Sequence, residues 1–135
     1  MTILIKRVYL PAAATDGWRV LVDRLWPRGL RKENAALDAW LKDIAPSGAL
    51  RQWFNHEAGK WPEFITRYRA ELDVLYAQQP DLFQDLRRHL ATGKVSLLYG
   101  AHDETHNQAL VLRDWLQDLL PDSLPNSLPG SPETF

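Results

Sequence analysis

Residues 19–29, RVLVDRLWPRG, constrain the fold of this chain more than any other stretch. Residues 20–22 are apolar and rich in β-branched side chains, which favours a buried strand. Asp23 and Arg24 follow at once, so the strand ends in a loop dense with charge. In open α/β sheets the ligand site lies beyond the carboxyl ends of the strands. The segment therefore predicts an α/β fold with a polar, anion-facing site at the end of its second strand.

Length and composition exclude several classes of protein. A chain of 135 residues is the usual size of one domain. It contains no cysteine, which excludes a disulfide framework and a thiolate nucleophile and is typical of a reducing cytoplasm. With 16 basic and 17 acidic residues the net charge is -1, so a nucleic-acid partner would need a local basic patch.

The N-terminus predicts no membrane partner and a cytoplasmic location. Its apolar part is interrupted by Lys6 and Arg7 and is too short for a signal-peptide core or a membrane span. At the other end, residues 121–135 hold many prolines and serines without periodicity, which is typical of a flexible tail. The sequence therefore predicts one domain over residues 1–120, followed by that tail.

Three strands are predicted, over residues 3–9, 18–26 and 94–100. The third holds the continuous apolar run VSLLYG, which is typical of a central parallel strand covered on both faces. The predicted fold is α/β, with a small, mainly parallel sheet covered by helices and a helical insertion between the second and third strands.

Helices are predicted from apolar periodicity and from capping residues. Leu37, Trp40, Leu41 and Ile44 recur at i, i+3, i+4 and i+7, which predicts a helix over residues 33–44. Packing in the core is the default reading for four tryptophans on or beside such stripes. Gly93 is expected to end a helix in the left-handed conformation. The other predicted helices cover 47–54, 61–78, 80–91 and 105–120, and the four tryptophans are Trp40, Trp53, Trp61 and Trp115.

Four strings resemble a known family: KRVY at 6–9, GWRVLVDRLWPRG at 17–29, LDAWLKDIAPS at 37–47, and LLYGAHDETHNQALVL at 97–112. Together they resemble the YeaO-like family of small uncharacterised bacterial proteins, a family of unknown function, over nearly the whole chain to residue 120. The resemblance implies a compact α/β domain and no activity or catalytic residue. This chain has Leu10 where similar proteins often have aspartate and His102 where many have lysine. It has Tyr99 near the position where more distant relatives place a cysteine.

The ends of neighbouring parallel strands meet at one sheet edge, which gathers the candidate site residues. Arginine forks and free N–H groups at a helix start suit a phosphate or carboxylate. The alternative is that Asp23, Arg24 and Arg28 form an internal salt-bridge network. Trp26 either packs over the core or provides a flat surface on which a base or another aromatic ligand stacks. The ligand-binding candidates are Arg7, Tyr9, Arg24, Trp26, Arg28 and Asn107, and the catalytic candidates are His106, Tyr99 and Asp23.

The HDETH string at residues 102–106 has a spacing compatible with a metal site, since two histidines at i and i+4 can share a helix face. The zincin pattern needs glutamate directly after the first histidine, whereas Asp103 follows here and His102 falls in the preceding turn. Either Asp103 or Thr105 is expected to cap the last helix. The sequence predicts no metal and no cofactor, since GxGxxG and Walker fingerprints are absent as well.

Two functions are carried forward. The first is a site for a small phosphate-, carboxylate- or nucleotide-like anion, with hydrolysis or group transfer as the reaction if the protein is an enzyme. The second is a non-catalytic module that binds RNA or a protein through the basic loop, with Trp26 as an anchor. A closed pocket with convergent arginines favours the first, and a flat exposed arginine surface favours the second. A homodimer stays open, because no exposed apolar stripe indicates its interface.

Overall fold

The computed structural model describes residues 2–119. Its centre is a four-stranded sheet in the order β1-β4-β2-β3, in which each described pair is parallel. The strands are β1 (Thr2–Arg7), β2 (Trp18–Leu21), β3 (Ala39–Trp40) and β4 (Lys94–Tyr99). The predicted α/β class and the predicted central place of β4 are therefore confirmed.

Five α-helices surround the sheet, and four of them lie in the predicted insertion between β2 and β4. Ser47 caps α2 by accepting from the Leu50 N–H at 3.1 Å, and Pro62 stands in the first turn of α3, where its missing N–H costs nothing. The helices are α1 (Lys32–Ala35), α2 (Gly48–Phe54), α3 (Trp61–Gln78), α4 (Gln84–Thr92) and α5 (Gln108–Leu119).

The core is divided by the sheet into two unequal parts. On one face, α2 to α5 pack a large cluster that includes Tyr68, Leu72 and Trp115. On the other face, a small cluster joins Val8 and Leu21 to side chains of residues 26–37. The second face is thus covered mainly by the loop after β2, which fixes that loop close to the sheet.

The predicted helix over residues 33–44 is wrong. Within this segment the α-helix covers only the first residues, as α1, and Ala36 ends it in the left-handed conformation (φ 48°). The chain then extends into β3, where the Leu41 N–H donates to the Leu21 carbonyl at 2.9 Å. The apolar spacing does not form one helix face, because Leu37 packs in the small cluster whereas Leu41 and Ile44 pack in the large one. Trp40 consequently leaves the core and is 36% exposed.

Smaller corrections concern ends of elements. β2 stops at Leu21 rather than at residue 26, because Asp23 turns toward β4. Gly93 follows α4 with an extended φ of 178°, so it is not left-handed. Asn107, rather than Asp103 or Thr105, caps α5: its Oδ1 accepts from the Leu110 N–H at 3.2 Å.

The predicted flexible tail, residues 121–135, lies outside the described residues. Within residues 2–119, none of the helices combines the length and the apolar character that a membrane crossing requires.

Candidate functional site

The loop after β2 crosses the carboxyl edge of the sheet and is held there by side chains from its neighbours. The Tyr9 hydroxyl donates to the Arg28 carbonyl at 2.6 Å. The Trp40 indole N–H donates to the Asp23 carbonyl at 2.7 Å, and that of Trp26 donates to the Leu30 carbonyl at 2.8 Å. The loop therefore joins the end of β1 to the end of β3 across the whole edge.

Arg7 and Arg24 are both directed at backbone carbonyls, in different places. Arg7 Nε donates to the Ala101 carbonyl at 2.9 Å, after β4. Arg24 Nε donates to the Pro46 carbonyl at 2.8 Å and Nη2 to the Ala45 carbonyl at 3.1 Å, before α2. The two guanidinium groups therefore serve different loops, and Arg24 lines a groove beside α3 rather than joining Arg7.

Asp23 links β2 to the start of α5. Its Oδ2 accepts from the Gly100 N–H at 2.9 Å, and its Oδ1 accepts from the Gln108 side-chain amide. Burial raises the pKa of Asp23 to about 6, although both hydrogen bonds lower it. Its carboxylate therefore faces inward and links two segments, and within residues 2–119 it does not form the ion pair with Arg24 or Arg28 that the salt-bridge alternative required.

The segment before α5 is ordered by Asp103. Its Oδ1 accepts from the N–H groups of Thr105 at 2.9 Å and His106 at 3.1 Å, and its Oδ2 lies 2.9 Å from His106 Nδ1. The Thr105 N–H bond, with the His106 side chain, lowers the pKa of Asp103 to about 2. The His106 ring also meets Trp61 edge-on, with ring centroids 5.3 Å apart. Asp103 thus orients the imidazole of the catalytic candidate His106.

Tyr99, another catalytic candidate, lies in the large core cluster at the end of β4 and is 3% exposed. Burial raises its pKa, and Glu104 adds to that effect. The side chain of Asn107 is occupied in two ways, since its Nδ2 also donates to the Asp103 carbonyl at 3.1 Å. Tyr99 and Asn107 are therefore both buried behind the carboxyl edge of the sheet, where they stabilise it.

Aromatic and cationic side chains cover the outside of the same edge. The Arg7 guanidinium lies 5.0 Å from the Tyr9 ring centroid, and Lys42 Nζ lies 5.2 Å from that of Trp40. Trp26 packs edge-on against Trp40 at 5.4 Å. Tyr9 and Trp40 stay 41% and 36% exposed, respectively. We call this surface the aromatic–cation band: Arg7, Tyr9, Trp26, Arg28, Trp40 and Lys42.

Cavities of appreciable size occur away from the band. A groove of about 480 Å³ lies between α3 and residues 43–47 and has a largely apolar lining that includes Ile44, Leu72 and Leu75. Arg24 is its link to the loop after β2. Arg7 and Arg24, which were expected to hold an anion together, donate to the carbonyls of different loops.

Sequence reasoning missed three features of this region. The helical spacing of residues 33–44 concealed Trp40 and Lys42. The available signal was a Trp and a Lys two residues apart, which is the spacing of one face of a strand. Gln108 gives no signal, because its contact with Asp23 spans 85 residues of sequence. Within residues 2–119, no group of three or more His, Cys, Asp or Glu side chains has an arrangement that could hold a metal ion.

Comparison with known proteins gives one consistent result. Residues 2–135 match a protein family described as "Inactive DUF488-N3 subclade". The uncharacterized protein YeaO of Escherichia coli (strain K12) is 45% identical over 117 residues, which cover 87% of this chain and 98% of that protein. The uncharacterized protein Rv3073c of Mycobacterium tuberculosis (strain ATCC 25618 / H37Rv) is 47% identical over 68 residues, covering 50% of this chain and 58% of that protein. No solved structure matches.

Proposed function

We propose, since this chain belongs to the inactive DUF488-N3 subclade, that it is a non-catalytic protein that binds short single-stranded RNA through the aromatic–cation band. The description of the family as inactive supports binding without bond cleavage. One observation carries the choice of ligand: Tyr9 and Trp40 are exposed aromatic rings with a cation beside each ring. Stacking surfaces interleaved with positive charge are what single-stranded nucleic acids bind.

The dimensions of the band suit a short strand. It runs from the end of β1 to the end of β3, across four strands. With neighbouring strands about 4.8 Å apart, that distance is about 14 Å. Bases stacked on Tyr9 and Trp40 would be separated by roughly this length, and Arg28 and Lys42 would face the phosphates.

The charge of the band supports an anionic ligand although the whole chain is nearly neutral. The Asp23 carboxylate is turned inward to Gly100 and Gln108, whereas Arg28 and Lys42 are exposed. A local positive surface on a chain of net charge -1 gives binding that is weak and strongly dependent on salt.

A small anion is supported less well, because its proposed ligands are already occupied. Arg24 donates to the Pro46 and Ala45 carbonyls, and Arg7 donates to the Ala101 carbonyl. Recruiting either side chain to a phosphate would leave buried or half-buried carbonyls unpaired, at a cost of about 1–3 kcal/mol each.

Fluorescence anisotropy with a labelled, mixed-sequence RNA dodecamer tests the proposal. Tyr9→Ala should weaken binding about 5- to 100-fold, since loss of one stacked base costs about 1–3 kcal/mol. Tyr9→Phe keeps the ring and should bind within about twofold of the native protein, as expected if stacking rather than the hydroxyl contributes. Arg28→Glu should abolish binding at moderate salt. The matched control is Arg88→Glu, because Arg88 is also an exposed arginine but lies on α4, outside the band.

Three results would overturn the proposal. If Arg88→Glu weakens binding as much as Arg28→Glu does, the RNA responds to net charge and not to the band. If the labelled RNA is shortened during incubation with purified protein, and the cleavage is lost in His106→Ala, the protein is an enzyme. Thermal stabilisation by inorganic phosphate or a mononucleotide without any RNA binding would instead restore the small-anion function.

A further inference from the structure

The strand β1 leaves one edge of the sheet open. It pairs with β4 on one side only, and the Val8 N–H donates to the Tyr99 carbonyl at 2.8 Å. In this parallel register, even-numbered residues direct their backbone groups toward β4, and Ile3 and Ile5 direct theirs outward. Within residues 2–119, no other segment supplies a backbone partner for Ile3 or Ile5. The outward N–H and C=O groups of Ile3 and Ile5 therefore lack a partner strand within the described residues.

The usual protections of an edge strand are missing from β1. Proteins guard such edges with proline, bulges or outward lysines, and β1 contains no proline and pairs with β4 in continuous register. Its two cations are turned back onto their own chain: Lys6 Nζ lies 3.0 Å from Asp16 Oδ2, and Arg7 donates to the Ala101 carbonyl. Leu4, in contrast, is 37% exposed.

We propose that a second copy of this chain pairs with β1, antiparallel, about a twofold axis at Leu4. In that register Ile3 of each copy lies opposite Ile5 of the other. The outward N–H and C=O groups of each Ile3–Ile5 pair form two hydrogen bonds, which gives four in all. Leu4 faces Leu4 in a pair that is not hydrogen-bonded, where side chains approach most closely. The contact is isologous, as closed dimers require.

Charge and apolar exposure favour this axis. Lys6 faces Thr2 of the second copy, so no two like charges oppose each other within residues 2–6. The exposed leucine of β1 is buried against itself, which gains apolar area on both copies. The product is a continuous eight-stranded sheet with β1 strands at its centre, and the pairing is independent of RNA binding.

A cysteine placed at the axis tests the register. The chain contains no cysteine, so Leu4→Cys introduces the single thiol of each copy. Cα atoms in a non-hydrogen-bonded antiparallel pair lie about 4.5 Å apart, within disulfide range. Mild oxidation should convert Leu4→Cys to a covalent dimer on a non-reducing gel. The control, Val74→Cys at a 55% exposed position of α3, should stay monomeric under the same conditions.

Charge exchange gives a second test that does not depend on oxidation. By sedimentation velocity, the native chain should shift from monomer to dimer as its concentration rises. Leu4→Lys and Leu4→Glu should each stay monomeric, and an equimolar mixture of the two should regain the dimer, which also shows that both variants are folded. A native chain that stays monomeric throughout, or a dimer that persists in both charge variants, would overturn the proposal.

Discussion

At the scale of single residues, two aspartates show that the pKa of a carboxyl group depends on whether its hydrogen-bond donors outweigh burial. Asp16 is 4% exposed, and burial alone would raise its pKa. Hydrogen bonds from the Ala13 N–H, Lys6 and Arg19 outweigh burial and lower the pKa. Asp23 has two neutral donors and no cation, so burial prevails and its pKa rises to about 6. Asp16 is therefore ionised at neutral pH, whereas the pKa of Asp23 lies at about 6.

Asp23 should make stability fall as pH rises. Its folded pKa of about 6 exceeds the unfolded value of about 3.9, so the folded state holds the proton more tightly. The contribution of Asp23 is complete below pH 4 and is lost as pH rises through 6, by about 3 kcal/mol at most. Urea unfolding of the native chain and Asp23→Asn between pH 4 and 7 measures this. The free energy of the native chain should decline relative to that of the variant, and a constant difference would contradict the account.

Arg24 and Arg28 should separate stability from binding. Arg24→Ala removes two hydrogen bonds from a charged donor to loop carbonyls, so the free energy of unfolding should fall by about 2 kcal/mol. Arg28→Ala removes an exposed side chain and should change it by less than about 0.5 kcal/mol. Chemical denaturation measures both. Equal losses would mean that Arg28 also has a structural role and is not free to bind RNA.

At the scale of elements, the sequence predicted β1, β4 and the long helices well because each carries one unbroken pattern. Phe64, Tyr68 and Leu72 recur at helical spacing along α3, and all three are buried. The prediction for residues 33–44 failed because a helix, a strand and a turn, each at most four residues long, together mimic one helical repeat. β3 is fixed by pairing with β2, for example Leu21 with Trp40, a contact that local spacing does not encode.

The candidate site was predictable in place but not in contacts. The carboxyl ends of parallel strands determine where Tyr9, Asp23 and Arg28 lie, and the structure brings them to one edge. The partner of each side chain depends on the path of loops. Arg24 faces the turn before α2, and Gln108 reaches Asp23 from α5, neither of which a motif specifies.

The turn into β2 should depend on one glycine. Gly17 has a φ of +70°, and a Cβ there would lie 2.4 Å from the Lys94 carbonyl oxygen, at the start of β4. Gly17→Ala should therefore cost about 3 kcal/mol through strain and overpacking. Gly29, with a φ of +76° and open space around it, is the matched control, and Gly29→Ala should cost about 1 kcal/mol from the left-handed backbone alone. Thermal or urea unfolding compares them, and equal costs would contradict the close approach of Gly17 to β4.

At the scale of the whole molecule, the proposed dimer places the two bands far apart. Because β1 pairs antiparallel with its copy, the carboxyl edges of the two half-sheets point in opposite directions. Each protomer therefore keeps a complete band of its own in the dimer. We therefore expect one dodecamer per protomer with a single affinity at protein concentrations below and above dimer formation, as measured by isothermal titration calorimetry. A stoichiometry of one RNA per dimer would contradict this arrangement.

The central claim is that the aromatic–cation band holds RNA through Arg28, and the salt dependence of binding tests it most directly. Each phosphate contact contributes about 0.7 to the slope of log K against log salt for a single strand. Anisotropy titrations over a range of salt should give a slope for Arg28→Ala that is shallower by about this amount. Arg88→Ala should keep the native slope. No RNA binding by the native chain, or an unchanged slope in Arg28→Ala, would contradict the account.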